Sequence, residues 1–521
     1  MAQILLTTLN ARYSHCAFGL RYLHANMREL RADTAILEFT ISQNPRDIVE
    51  SILKQNSKIV GFGVYIWNTK PTQDVVSILK RVRPDIRVIL GGPEVSYETE
   101  IQEICRLADL TIQGEADHLF YKICQAYLRD LEWPASPIIK GELPELKALQ
   151  LPYSLYSDED IRNRVIYVEA SRGCPYKCEY CLSSLDKSVR SFDLDIFLGE
   201  MDLLIKRGVR QFKFVDRTFN LSIVTSTKIL QFYLERMSLG LFLHFEMVPD
   251  RLPVELRDLL KLFPAGSLQF EVGIQTWNPE VAKLVSRRQD YQKIGENFQF
   301  LNSDTQVHTH ADLIVGLPGE TLESFAQGFD AVSELKPHEI QVGILKRLRG
   351  TPIIRHDVEW KMVYQDSAPY QVLSTRTMSY QTLQEMNRFA HFWNLIANSG
   401  NFKSTFVLLT HSALGTEKKS LFWEFSRLTR YLSEQHPQGH GISLHHLMES
   451  VCTYFIEIEK HDPNQVRNAL LDDYNLHAKR PGIPAFLRGS TTMPSQPRRP
   501  KSATPERQQK HLAQHEHERI N

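Results

Sequence analysis

The feature that most limits what this chain can fold into is a set of three cysteines on one short loop. Cys174, Cys178 and Cys181 are spaced Cys-x3-Cys-x2-Cys and directly follow a strand-like apolar run at 165–170. Three thiolates on one loop can wrap a single inorganic centre. A structural zinc site closes with four ligands, and no fourth cysteine or histidine follows at finger-like spacing. A cubane iron–sulfur cluster held by three thiolates instead leaves one iron open to an outside ligand. Gly173 admits a close backbone approach and Pro175 fixes the turn. The alternatives are three incidental or buried cysteines, or one part of a zinc site.

Composition removes several classes. Of 521 residues, 42% are hydrophobic and 23% charged, which is ordinary for a globular chain. The length points to about three domains. Lys plus Arg and Asp plus Glu both number 61, so no net field draws the protein to nucleic acid or anionic lipid. The first ten residues lack the charged and apolar regions of a signal peptide, and no apolar run reaches the length of a membrane span. Cys16, Cys105, Cys124 and Cys452 are scattered, which suits a reducing cytoplasm and supplies no second cluster. A cytoplasmic protein with one iron–sulfur centre is expected, with neither membrane nor nucleic acid as a partner.

Periodicity divides the chain. In residues 1–135, strands at 4–9, 35–41, 58–67, 86–90 and 108–113 are each followed by a helix, including one at 18–30. Five such units imply an α/β domain with a doubly wound, flavodoxin-like parallel sheet. Ligands of such sheets sit beyond the carboxyl ends of the strands. There the special residues collect: 10–13, 63–68, Gly91-Gly92-Pro93 and Gly114-Glu115. Residues 136–163, with Pro137, Pro144 and Pro152, read as a linker. Six further strands at 165–170, 211–215, 241–247, 268–274, 308–315 and 339–345 fall in residues 164–352. Residues 353–487 are mostly helical and aromatic, and residues 488–521 have the composition of a disordered tail.

The cysteine loop, with Tyr180 just before the last cysteine, resembles that of the radical S-adenosylmethionine (SAM) enzymes. Further segments follow the family in order. Asp216-Arg217 ends the second strand, where the family often has two acids. The run 270–276, containing Glu271 and Gln275, resembles the strand that meets the methionine and ribose ends of SAM. The run 313–321, containing Gly316 and Gly-Glu-Thr, resembles the turn that packs the adenine. Gly350-Thr351-Pro352 follows the sixth strand, as it often does in cobalamin-dependent members. The first domain resembles the cobalamin-binding domain that precedes many of these barrels. Residues beyond 352 resemble the helical C-terminal extension of one subgroup, expected to cap the barrel mouth.

The resemblance implies a partial (β/α)6 barrel in which Cys174, Cys178 and Cys181 hold a [4Fe–4S] cluster. Tyr180, Asp216, Glu271, Gln275 and Gly316 would serve SAM. Asn10, Val64, Tyr65, Gly91, Gly92, Gly114 and Glu115 would serve cobalamin. Cobalamin proteins often carry Asp-x-His-x-x-Gly after the first strand. Here the loop is Tyr13-Ser14-His15-Cys16-Ala17-Phe18-Gly19, with the aspartate missing and the glycine one place late. Cobalamin is therefore expected without a histidine ligand, and His15 as a hydrogen-bonded loop residue. His308 and His310, on one strand face, are expected to pack or hydrogen-bond.

The implied activity is reductive cleavage of SAM to a 5′-deoxyadenosyl radical, used with cobalamin to methylate or rearrange an unactivated carbon. The substrate class is a small molecule, a peptide or a tetrapyrrole-like compound, and the electron donor a flavodoxin or ferredoxin. The alternatives are a cobalamin-free radical SAM enzyme modifying RNA or a small molecule, and a non-catalytic iron–sulfur redox or iron sensor.

Overall fold

Strand β1 (Ile4–Asn10) is buried at every position, the mark of a strand covered on both faces. In the computed structural model, which describes residues 2–129, 133–410, 419–476, 483–487 and 508, it lies inside a six-stranded sheet. With β2 (Thr34–Thr40), β3 (Ile59–Gly63), β4 (Arg87–Gly91), β5 (Leu110–Gln113) and β6 (Ile138–Lys140), the order is β2-β1-β3-β4-β5-β6, parallel throughout. The order reverses between β1 and β3, which makes a crevice at their carboxyl ends. Leu5, Val60, Phe62 and Val88 fill the core on one face; Ile4, Leu6, Ile89 and Phe120 fill it on the other.

Three elements differ from the expectation. β3 stops at Gly63, because the Val64 N–H turns to Gly91 O and Asn68 Oδ1 accepts from the Tyr65 N–H. The helix expected over 18–30 ends at Ala25 and gives way to a 3-10 turn, Arg28–Asp33. The stretch expected as a linker is largely structured. It supplies the edge strand β6, a helix Asp158–Asn163 with a Ser157 capping box, and the fully buried rings of Tyr153 and Tyr156. An edge strand tolerates the neighbouring Pro137, whose carbonyl still accepts from the Thr111 N–H.

The chain forms two compact units, one made of Met1–Glu246, Lys346–Arg355 and Tyr364–Gln371, the other of the remainder. In the first, β10 (Gln211–Phe214) pairs in parallel with β7 (Ile166–Val168) and β11 (Phe242–Met247), around buried Phe212, Phe214 and Phe245. Between β7 and β10, the two-residue strands β8 (Ser171–Arg172) and β9 (Arg190–Ser191) form an antiparallel neck below the cysteine loop. Asp193 caps the following helix, Leu194–Lys206.

In the second unit, β13 (His308–Val315) lies between β12 (Leu268–Gln275) and β14 (Glu339–Ile344), all parallel. All six barrel strands read from the sequence are thus present, three in each unit. His308 is buried, with Nε2 3.3 Å from Glu339 Oε1 and its ring 4.6 Å from that of His338. His310, next but one on β13, is also buried. The helix Tyr380–Ile396 flanks β14, where Asn398 exchanges two hydrogen bonds with Ile340. Phe329, Phe389, Trp393, Phe422 and Phe425 pack between the helices, edge to face at Phe329 and between Trp393 and Phe425 and stacked between Phe389 and Phe422, so these aromatics are core. Apart from residue 508, the tail 488–521 lies outside the described residues. Among them no helix is long and apolar enough to cross a membrane.

Candidate functional site

The cysteine loop is closed at its base by a glycine that nothing can replace. Gly173 has φ +91°, and a Cβ there would lie 2.1 Å from Ser188 O. The Cys174 N–H donates to Asp186 O at 3.1 Å, the Cys181 N–H to Cys178 O at 3.1 Å, and Ser184 Oγ to Cys181 O at 2.7 Å. Cys178 is buried and the other two are half-buried, none of them in a disulfide. Burial, and then the neighbouring Cys181 and Cys178, push the Cys174 thiol up. Among the described residues no group of three or more His, Cys, Asp or Glu is set to hold a metal ion. A cubane would spread its thiolates over three iron corners instead of gathering them round one ion. Soft sulfur donors on a close-wound, half-buried loop fit such a cluster.

Asp216 is buried and committed to the loop's approach. Its carboxylate accepts from the Ala170 N–H at 3.0 Å and from Ser171 Oγ at 2.6 Å, and burial pushes its pKa up to about 6. Arg217, in the place of the family's second acid, pairs with Glu246 at 3.3 Å, whose charge holds its pKa up. Tyr180 is half-buried.

In the same unit, the carboxyl edge of the first sheet opens on a cavity of about 220 Å³. Its walls are mostly glycine and hydrocarbon, Gly61 and Gly63 from β3, Gly91, Gly92 and Gly114 at and beyond the ends of β4 and β5, Leu20 and Phe120 from the flanking helices, with Asp117 and Arg172 as charged members. A Cβ on Gly91 would meet nothing within 4 Å. Gly92, at φ +111°, would place one 2.4 Å from Val64 O. So Gly91 presents bare backbone to open space while Gly92 seats the loop on Val64. The cavity and its bare rim fit a flat, largely apolar group. Tyr65 stacks on half-exposed Trp67 at 4.6 Å beyond β3.

Two residues assigned to cobalamin from the sequence have protein partners here. Asn10 donates to Glu38 Oε2 at 2.7 Å and to His15 O at 3.0 Å. Glu115 takes ion pairs from Arg172, at 2.7 Å, and from Arg190. The Gly114 N–H donates to Ser96 Oγ at 3.0 Å. His15 Nδ1 lies 2.6 Å from the Tyr167 hydroxyl, the hydrogen-bonded role read from its loop.

The second unit holds the remaining residues. Gln275, at φ +72°, ends β12 after a bulge. Arg287 donates to Gly273 O, and Gln289 Nε2 to Thr276 O at 2.8 Å, which fixes that turn. Glu271 sits mid-strand in register with His310. Gly316, at φ +86°, leaves room for Val372, whose Cγ1 would be 2.7 Å from a Cβ. Sequence reading missed Glu320 as a chemical group. It is buried, accepts from Thr276 Oγ1 at 2.7 Å, and burial pushes its pKa up to about 8. It also missed the Arg172 ion pairs, and placed Trp67 in the 63–68 stretch without its stack on Tyr65. The spacing of neither residue marks it out.

Comparison with known proteins agrees with this layout. Residues 4–123 match the B12 binding domain, residues 168–331 the radical SAM superfamily, and residues 358–518 a protein family of unknown function (DUF4080). The chain thus carries a B12-binding domain followed by a radical SAM domain.

An uncharacterised methyltransferase of Pyrococcus horikoshii is 22% identical over 402 residues, covering 72% of this chain and 83% of its own. The cobalamin-dependent radical SAM methyltransferase TokK of Streptomyces tokunonensis is 23% identical over 332 residues, covering 55% of this chain; the chain spans about half of TokK, 47%. Two solved structures share the fold. The radical SAM methyltransferase TsrM of Kitasatospora setae, with cobalamin and a [4Fe-4S] cluster bound, has a TM-score of 0.57 at 16% identity, covering 68% of this chain and 77% of that one. The cobalamin-dependent radical enzyme OxsB, with aqua-cobalamin, has a TM-score of 0.59 at 13% identity, covering 91% and 84%.

Proposed function

We propose that this chain is a cobalamin-dependent radical SAM enzyme that methylates, or otherwise rearranges, an unactivated carbon of a small molecule. The observation that carries the reading is that one unit holds both a close-wound three-thiol loop and a glycine-rimmed cavity at the carboxyl edge of a B12-binding domain. The names of the P. horikoshii relative, TokK and TsrM support methyl transfer.

Cys174, Cys178 and Cys181 would hold the cluster, with Gly173 setting the width of the loop and Asp216 bracing its entry. Arg217 offsets the negative charge that three thiolates bring together. Tyr180, Glu271, Gln275 and Gly316 stand as the proposed residues for SAM. Gly91, Gly92 and Gly114 would let the nucleotide tail of cobalamin lie against bare backbone, with Tyr65 in the lining, Val64 beside it in the chain, and no histidine to the metal. When bound, these groups supply the electron for SAM cleavage and a carrier for the methyl group. The chain's own part is to place the reacting groups and keep water out. A small-molecule substrate and a protein reductant such as flavodoxin or ferredoxin complete the reading.

The test is anaerobic reconstitution of the full chain with iron, sulfide and hydroxocobalamin, then desalting. A retained corrin band, with 5′-deoxyadenosine formed from SAM and dithionite, supports the reading. Corrin lost on desalting alongside continued 5′-deoxyadenosine formation moves the protein to a cobalamin-free radical SAM activity. No 5′-deoxyadenosine from a loaded cluster points to a sensor.

A further inference from the structure

The neck of the cysteine loop and the wall of the first-domain cavity are the same residue. Arg172 is the second residue of β8, immediately before Gly173-Cys174, and its side chain lines the cavity together with Asp117. Its Nη1 lies 2.7 Å from Glu115 Oε2 and 3.2 Å from Asp117 Oδ2; its Nε lies 2.9 Å from Glu169 Oε1. The guanidinium is sandwiched over the Tyr22 ring at 4.5 Å and near Phe192 at 5.7 Å. Arg190, the register partner of Arg172 across the neck, also takes Glu115. One carboxylate just past β5 therefore grips both arms of the loop.

We infer that Arg172, Glu115 and Asp117 are positioning residues that couple occupancy of the cavity to the order of the cluster loop. This rests on the proposed function, which puts cobalamin at the cavity and the cluster on the loop. A group filling the cavity presses on Arg172 and Asp117 and removes the solvent that competes for their charges. The ion pairs tighten, and with them the neck that sets the separation of Cys174 from Cys181. Because coupling between two binding events is reciprocal, the cluster must favour cobalamin by the factor by which cobalamin favours the cluster.

The experiment uses reconstituted full-length holoprotein and follows iron loss to an excess of a ferrous chelator, with and without saturating hydroxocobalamin. In the parent protein, corrin should slow iron loss about fivefold or more. In the double variant Glu115→Gln/Asp117→Asn, which keeps Arg172 and the size of both side chains while removing their charge, hydroxocobalamin should still bind while the protection falls below about twofold. Should the double variant not fold, Asp117→Asn alone, with Glu115 still bridging the neck, should show intermediate protection. Corrin binding without any change in iron loss overturns the inference. So does undiminished protection in a folded variant, which would mean simple shielding of the cluster. A parent protein that loads its iron but takes up no corrin fails the cobalamin reading itself, a different outcome from either.

Discussion

The Tyr370 hydroxyl donates to Glu94 Oε1 at 2.5 Å, joining two residues 276 positions apart. Glu94 follows Gly91-Gly92-Pro93, and Arg349 Nε lies 3.0 Å from the same Glu94 oxygen, stacked on Tyr370 at 4.7 Å. The segment after β14 thus clips the loop that rims the cavity. Arg349→Met leaves Glu94, which is 4% exposed, as a buried charge without its cation. It should cost about 3–5 kcal/mol in urea unfolding. Tyr370→Phe removes one of two donors and should cost about 1 kcal/mol. Equal, negligible effects of both would contradict the clip.

The glycine pair separates packing from binding. Gly92→Ala forces a side chain onto φ +111° and against Val64 O, and should lower stability by about 1–3 kcal/mol or more. Gly91→Ala meets no atom and should leave stability within about 1 kcal/mol. Its methyl nonetheless occupies the bare rim, so hydroxocobalamin retention should fall at least severalfold. Thermal unfolding and desalting followed by absorbance check both halves.

His15 Nδ1 meets Tyr167, which leaves Nε2 as the ring nitrogen that would reach a metal, and its loop lacks the aspartate and the glycine spacing of the cobalt-ligating motif. The Co(II) EPR spectrum of the loaded protein should lack nitrogen superhyperfine splitting on the cobalt lines and should be unchanged in His15→Ala. Splitting that vanishes in the variant would show that His15 is a ligand after all.

Glu320 makes stability depend on pH in a defined direction. Its carboxyl is raised by burial from an ordinary 4.5 to about 8, so the folded protein binds a proton that the unfolded chain releases between those values. That stabilisation is complete below pH 4.5 and is lost as pH rises to about 8, at up to about 1.4 kcal/mol per pH unit. Glu320→Gln keeps the acceptor for Thr276 without the titration. Across pH 5–9 the parent should therefore lose stability relative to the variant. Parallel profiles would contradict the buried neutral acid.

The parts legible in the sequence are those set by spacing along the chain. The cysteine loop, Gly91-Gly92 and the strand–helix alternation are local patterns, and they placed both domains. Asp216 was found by its position at a strand end, although its partners, the Ala170 N–H and Ser171, were not. What stayed hidden is pairwise and distant. Nothing in Glu115 announces that it grips Arg172 and Arg190, and nothing in Arg349 points to Glu94. The proline-rich stretch before β7 read as a linker because an edge strand of three residues and buried tyrosines leave little periodic trace. β3 was read too long because Val64–Trp67 are as apolar as a strand while their hydrogen bonds belong to a turn.

The central claim is that Cys174, Cys178 and Cys181 hold a cluster with one open iron. Its most direct measurement is iron content and low-temperature EPR of the anaerobically reconstituted, dithionite-reduced chain, recorded with and without SAM. About four irons per chain, and a spectrum that shifts when SAM is added, are the predicted result. Fewer irons, or a four-iron spectrum indifferent to SAM, would contradict it.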